Sequence, residues 1–283
     1  PRQAESSNMR LVGQNDLQAR TAYQPVIHQQ GNRWIAYIGH HGGALLNPLT
    51  GQKENNGTSI VDVTDPRQPK YLAHIPGDEG AGEAGAAQMV RVCSGKSLPK
   101  GDPSKVYILR TFGNKGHEIW DVTVPEKPAL TTVIEKGLRG THKNWWECDT
   151  GIAYLISGVP GWRSTRMMQI YDLSDPTKPV LIRNFGVPGQ EPGTGAPSRF
   201  TMHGGISTGP KGNRFYGPIT SLKPGEVALP NLAMPDRQTL STGVMVIYAD
   251  EESFTFMTPE GHMFAAWITF SALRQDGVTV PRI

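Results

Sequence analysis

The sequence predicts an all-β protein, a β-propeller of four-stranded blades of roughly 50–60 residues each. Three observations lead there. A strand–turn–strand segment recurs, a second strand pair precedes each copy, and the composition punctuates the chain too often for long helices.

The recurring segments are "TSIVDVTDPRQPKYLAHIPG" (58–77), "HEIWDVTVPEKPALTTVIEKG" (117–137) and "MQIYDLSDPTKPVLIRNFGVPG" (168–189). Each reads apolar, apolar, Asp, apolar, Ser or Thr, and then a turn with two prolines. Pro66, Pro125 and Pro176 fix φ at a turn corner, and Asp or Thr accepts hydrogen bonds from the turn backbone. Pro69, Pro128 and Pro179 open the next strand where no donor is required. A weaker fourth copy, "GVMVIYAD" (243–250), keeps the strand without the turn. The preceding pairs are "YQPVIHQQGNRWIAYIG" (23–39), "WWECDTGIAYLISG" (145–158) and "HGGISTGPKGNRFYGPI" (203–219), each a strand, a Gly or Asn turn and an aromatic strand. The pattern predicts one propeller domain over residues 1–283, with blades near 20–80, 81–139, 140–195 and 196–250. Residues 251–283 form a tail outside the repeat.

The chain has 283 residues, 33 of them Gly and 23 Pro, with only 19% charged residues. So many breakers confine helical periodicity to short stretches. A net charge of +3 with scattered basic residues argues against a nucleic-acid interface. No run approaches the roughly 18 apolar residues of a membrane span. The polar start, "PRQAESSNMR", shows no signal peptide, and a processed export signal is presumed. There is no G-x-S-x-G elbow, P-loop, dinucleotide fingerprint or H-E-x-x-H, which argues only weakly against the motif-defined enzyme classes, because propeller active sites are assembled from scattered single residues.

"SIVDVTDPRQP" and "IYDLSDPTKP" resemble the namesake strand and turn of the LVIVD-repeat β-propeller proteins. "NPLTG", "GTHKNWWECDTGIAYLISGVPGW" and "STGPKGN" look like one bacterial branch of that family, and the resemblance covers residues 9–217. It implies an exported, periplasmic or extracellular propeller from a branch whose biochemical roles are mostly unassigned. After Asp250, "EESFTFMTPEGHMFAAW" resembles a stretch that in such proteins follows further blades. Either segments are missing within 220–283 or the tail does not follow the repeat, and the sequence leaves both open.

In a propeller the innermost strand of each blade runs along the axis, and its entry end lines one mouth of the channel. Aligning the copies places Gln24, Gln88, His142 and His203 at that position. Converging imidazoles could hold a transition metal, Cu, Fe or Zn, with an open position for substrate or water. His40 and His41, in "GHHGG", could reach the same mouth from the following loop. His117 occupies the equivalent loop of the next blade, beside Glu118, the nearest carboxylate able to orient an imidazole. The alternative is that these histidines hydrogen-bond strand-entry carbonyls and hold water. His28 and His74 read as structural, and His262 belongs to the tail. Asp78, Glu79 and Glu83, among glycines at 77–88, match no calcium-loop spacing and read as a solvated loop.

The two cysteines, Cys93 and Cys148, follow Gln88 and His142 by similar offsets. Either they bridge adjacent inner strands or they are two buried thiols. The sequence thus predicts a binding or scaffold propeller with a His-lined channel. The alternative is a metal-dependent oxidoreductase or hydrolase with its metal at the axis. A small ligand, a protein, or a larger exported assembly could be the partner.

Overall fold

We describe the computed structural model over residues 10–186, 189–193 and 201–204 and, beyond them, the backbone of the strands between Ile206 and Arg282. The repeated turns organise it. In each, a backbone N–H closes back three residues, Gln68 to Asp65, Lys127 to Val124 and Lys178 to Asp175, at 3.0, 2.8 and 3.0 Å. Proline occupies the second position of all three, where its fixed φ suits a type I turn. Just before each turn an aspartate caps the backbone two residues on, at Thr64, Thr123 and Ser174.

These turns join the third and fourth strands of three antiparallel sheets. The first sheet runs β1 (Tyr23–Gln30), β2 (Arg33–Gly42), β5 (Thr58–Asp62) and β6 (Lys70–Ile75). A hairpin of β3 (Ala44–Asn47) and β4 (Gln52–Asn55) is inserted between β2 and β5, and β7 (Gly82–Ala87) pairs with the end of β2. The second sheet is β8 (Val90–Ser94), β9 (Val106–Phe112), β10 (Gly116–Asp121) and β11 (Ala129–Glu135). The third is β12 (Asn144–Trp146), β13 (Ile152–Ser157), β14 (Met167–Asp172) and β15 (Val180–Phe185). Asp62, Asp121 and Asp172 each end the third strand of their sheet, as the repeat predicts. Each follows a register shift, at Ile60/Val61, Ile119/Trp120 and Ile170/Tyr171.

The first compact unit, Pro1–Ile219, also contains the pair β16 (Ile206–Thr208) and β17 (Arg214–Tyr216). The second unit, Thr220–Ile283, contains β18 (Val227–Ala228), β19 (Asn231–Ala233), β20 (Thr239–Ser241), β21 (Val244–Ala249), β22 (Ser253–Met257), β23 (Trp267–Gln275) and β24 (Val278–Arg282). There β18, β21, β22, β23 and β24 form one antiparallel sheet, and β19 pairs with β20. The weak fourth copy is β21. His262 lies outside the described residues. Among those described, no helix is long and apolar enough to cross a membrane.

Side chains alternate across a strand, and the second strands are apolar on both faces. Ile35 and Tyr37 of β2 pack with Ile60, Ile75, Val90 and Ile108, filling the seam between the first and second sheets. Tyr107 and Leu109, on the other face of β9, pack with Ile119, Trp146, Ala153 and Leu155 in the seam to the third sheet. Ile156 and Tyr154 turn to the far face of that sheet, onto Met168, Ile170 and Met202.

Two further links cross the seams. Arg110 is fully buried and donates to Glu118 Oε2 from Nε and Nη2 at 3.1 and 2.9 Å. It also donates to the Ile75 and Pro76 carbonyls of the first sheet at 3.0 and 2.7 Å. Cys93 of β8 and Cys148, just beyond β12, form a disulfide with Cα atoms 5.5 Å apart. The structure thus chooses the bridge over two buried thiols.

Arg110→Met should cost about 3–5 kcal/mol in chemical denaturation, because it leaves Glu118 buried without its cation. Adding Glu118→Met should recover part of that loss. For the bridge, thiol titration of the denatured, unreduced protein should find no free thiol. Replacing both cysteines with serine should lower stability by about 2–4 kcal/mol.

Candidate functional site

The residues expected at the strand entries divide into those that meet and those that do not. Gln88 follows β7, whose pairing of Ala87 with His40 carries the chain across the end of β2. The Gln88 carbonyl packs where a side chain on Gly39 would stand, so only glycine fits there. His142 enters from Gly140, whose φ of +61 also favours glycine. Its backbone N–H donates to Ile156 at 3.1 Å, and the Thr141 hydroxyl donates to Gly113 at 2.6 Å. His203 is held by its neighbour. Met202 is buried against Ile156 and Met168, and its N–H donates to the Arg166 carbonyl at 2.9 Å.

These segments stack the His142 and His203 rings with centroids 4.4 Å apart at 31°. The Gln88 amide donates to His142 Nδ1 at 3.0 Å, so the neutral ring carries its proton on Nε2, which is buried without a partner among the described residues. Glu83 Oε2 lies 3.8 Å from His142 Nδ1 and accepts from Arg166 at 3.0 Å. Burial first, then the charges of Arg166, His203 and Lys143, push His142 down to about 2. Burial, Lys143 and Arg166 push His203 down to about 4, against a smaller pull from Glu83. Two neutral imidazoles therefore sit beside two cations.

Gln24 departs from the expected position. It is exposed, at φ 41, within the irregularity of β1 between Tyr23 and Val26. That extra residue moves Tyr23 opposite Gly39, and Tyr23 contacts the His41 ring at 4.7 Å while Lys143 Nζ stands 5.8 Å from its centre. His40 and His41, successive on β2, part to opposite faces. His40 is buried between Ser59 Oγ at 2.6 Å and the Thr21 carbonyl, away from the stacked pair. His41 stays on the side of His142, whose charge it opposes.

His117 and Glu118 part in the same way. Glu118 is taken by Arg110 and by the Trp120 indole N–H at 2.8 Å, so it orients no imidazole. His117 is fully buried, and among the described residues its ring has no well-formed hydrogen bond, the Ile156 carbonyl being its nearest acceptor. Burial pushes it down to about 3, partly opposed by the Ile156 carbonyl. His74, read as structural, is buried and paired with Glu54 at 2.6 Å.

The predicted metal set is therefore split, with His142 and His203 together and His40 elsewhere. Among the described residues no three His, Cys, Asp or Glu side chains converge to hold a metal ion. Sequence reasoning missed Arg166 and Lys143, which no repeat marks. It also assigned Glu83 to a solvated loop, whereas Glu83 lies in β7 and pairs with Arg166.

No family model matches the chain, and no curated protein matches it. Among solved structures it is similar to the periplasmic gluconolactonase of Pseudomonas aeruginosa, with a TM-score of 0.44 and 10% identity. That match covers 91% of this chain and 69% of the other. A likeness of this size says nothing of a shared activity.

Six buried or half-buried histidines, His28, His40, His74, His117, His142 and His203, have lowered folded-state values. Below about pH 6.5 the unfolded chain takes up protons that the folded one refuses. Stability should therefore fall as pH drops from 6.5 towards 4, by up to about 1.4 kcal/mol per pH unit for each such imidazole. Denaturation midpoints across that window check the slope. NMR of the His142 ring should show no titration down to pH 5.

Proposed function

We propose that the chain is an exported, LVIVD-type β-propeller that works by binding, with a small ligand taken where Gln88, His142 and His203 meet. The observation that carries this reading is the stacking of His142 on His203 at 4.4 Å beside Arg166 and Glu83. A few convergent polar groups on a rigid scaffold are what orient a small ligand. The unpartnered Nε2 of His142 supplies a donor for it. The propeller reading is supported by three four-stranded sheets packed face to face, with equivalent aspartates and turns. The Cys93–Cys148 bridge supports export, because such bridges persist in oxidising compartments. The metal-dependent alternative needs about three protein ligands, more than His142 and His203 supply.

A thermal-shift screen against sugars, organic acids, amino acids and nucleotides, with elemental analysis of the purified protein, tests the reading. A ligand should raise the midpoint of the wild type and leave a His142→Ala, His203→Ala variant unmoved. No such ligand, with a stoichiometric transition metal lost in that variant, would overturn it in favour of the metal-dependent enzyme.

A further inference from the structure

Arg91 and Trp145, on the first strands β8 and β12, bring together two donors that the protein leaves unused. Arg91 Nε and Trp145 Nε1 are both sealed from solvent without a hydrogen-bond partner among the described residues. The guanidinium stands over the indole, 5.0 Å from its centre. Neither side chain can accept a hydrogen bond, so neither can satisfy the other, and both require an acceptor.

Among the described residues Arg91 also lacks a counter-charge. Arg33, Arg110 and Arg166 each reach a carboxylate. Arg91 spends one Nη1 hydrogen bond on the Val90 carbonyl at 3.0 Å. Burial alone pushes its guanidinium down to about 10, with no carboxylate opposing the shift. A half-buried cation without an anion is costly, and cations in protein interiors are normally paired.

The pair is close to the site already described. Arg91 and Trp145 lie three residues beyond Gln88 and His142 on the same two chain segments, at most about 10 Å away at the rise of an extended chain. The two places are thus neighbours along both chain segments.

We propose that Arg91 and Trp145 form the anion-binding end of the ligand site and take the carboxylate of a small organic acid. Its oxygens accept from the Nε edge of Arg91, the edge that Val90 leaves open, and from the Trp145 indole N–H. The guanidinium fork matches a carboxylate in shape as well as charge. This specifies the ligand of the binding reading above and rests on it.

Calorimetry at constant ionic strength, with succinate, its neutral diamide and inorganic phosphate as probes, tests the assignment. Succinate should bind the wild type, and the diamide should not. Arg91→Met, similar in length and without the unpaired charge, should keep the fold by circular dichroism and bind at least about tenfold more weakly. Trp145→Phe keeps a ring, loses the donor, and should weaken binding several-fold. Failure of succinate to bind, equal binding by Arg91→Met, or equal binding of the diamide would overturn the proposal. Phosphate binding with the same Arg91 dependence and no succinate binding would overturn the carboxylate assignment. A ligand lost in His142→Ala, His203→Ala yet indifferent to Arg91→Met would also overturn it, while leaving the binding reading standing.

Discussion

A strand that is apolar on both faces cannot be exposed on either, and the second strand of every repeated sheet is of this kind. Ile35, Tyr37, Ala36 and Ile38 on β2, or Tyr107, Leu109 and Ile108 on β9, leave no face for water. The sheet must then be covered on both sides, which a neighbouring sheet does most economically. Stacking aligns the first strands of successive sheets, and that alignment lets Gln88 reach His142 and Cys93 reach Cys148.

Polar groups that cross a seam follow from the same packing. Arg110 ties the second sheet to the carbonyls ending β6, and Glu135 of β11 accepts from Gln169 and Tyr171 of the third sheet, both at 2.6 Å. These contacts are satisfied and fix the spacing of the sheets. Unsatisfied buried atoms, among the described residues, occur both away from the first strands, as at His41, His74 and His117, and on them. Gln88 Oε1, His142 Nε2, Arg91 Nε and Trp145 Nε1 all belong to the first strands or their approaches. Buried polar atoms are normally paired, so each of these is a donor or acceptor that the fold leaves open.

What the sequence revealed was local. The turn at Pro66 is written in residues 62–69, and its copies repeat the same physics, so Asp62, Asp121 and Asp172 could be placed on equivalent strands. His142, His203 and Gln88 were legible because each sits a fixed distance from a repeated strand. Gln24 was not, since one extra residue in β1 changes the face of every side chain before it. His40 and His41 looked interchangeable in "GHHGG", yet strand alternation sends them apart. Glu118 was read against its neighbour His117, but its partner Arg110 comes from the adjacent strand, and no local pattern names it.

The seam between the second and third sheets is fastened at two places along their first strands. Along the chain the order is Gln88, Arg91, Cys93 on one side and His142, Trp145, Cys148 on the other. A hydrogen bond makes one fastening and a covalent bond the other, with Arg91 and Trp145 between them. The two sheets cannot breathe apart there, so local opening must begin at the outer strands and reach β8 and β12 last. A molecule exchanging at Arg91 has to pass by rotation of side chains, and the residues that receive it are already in place before it arrives.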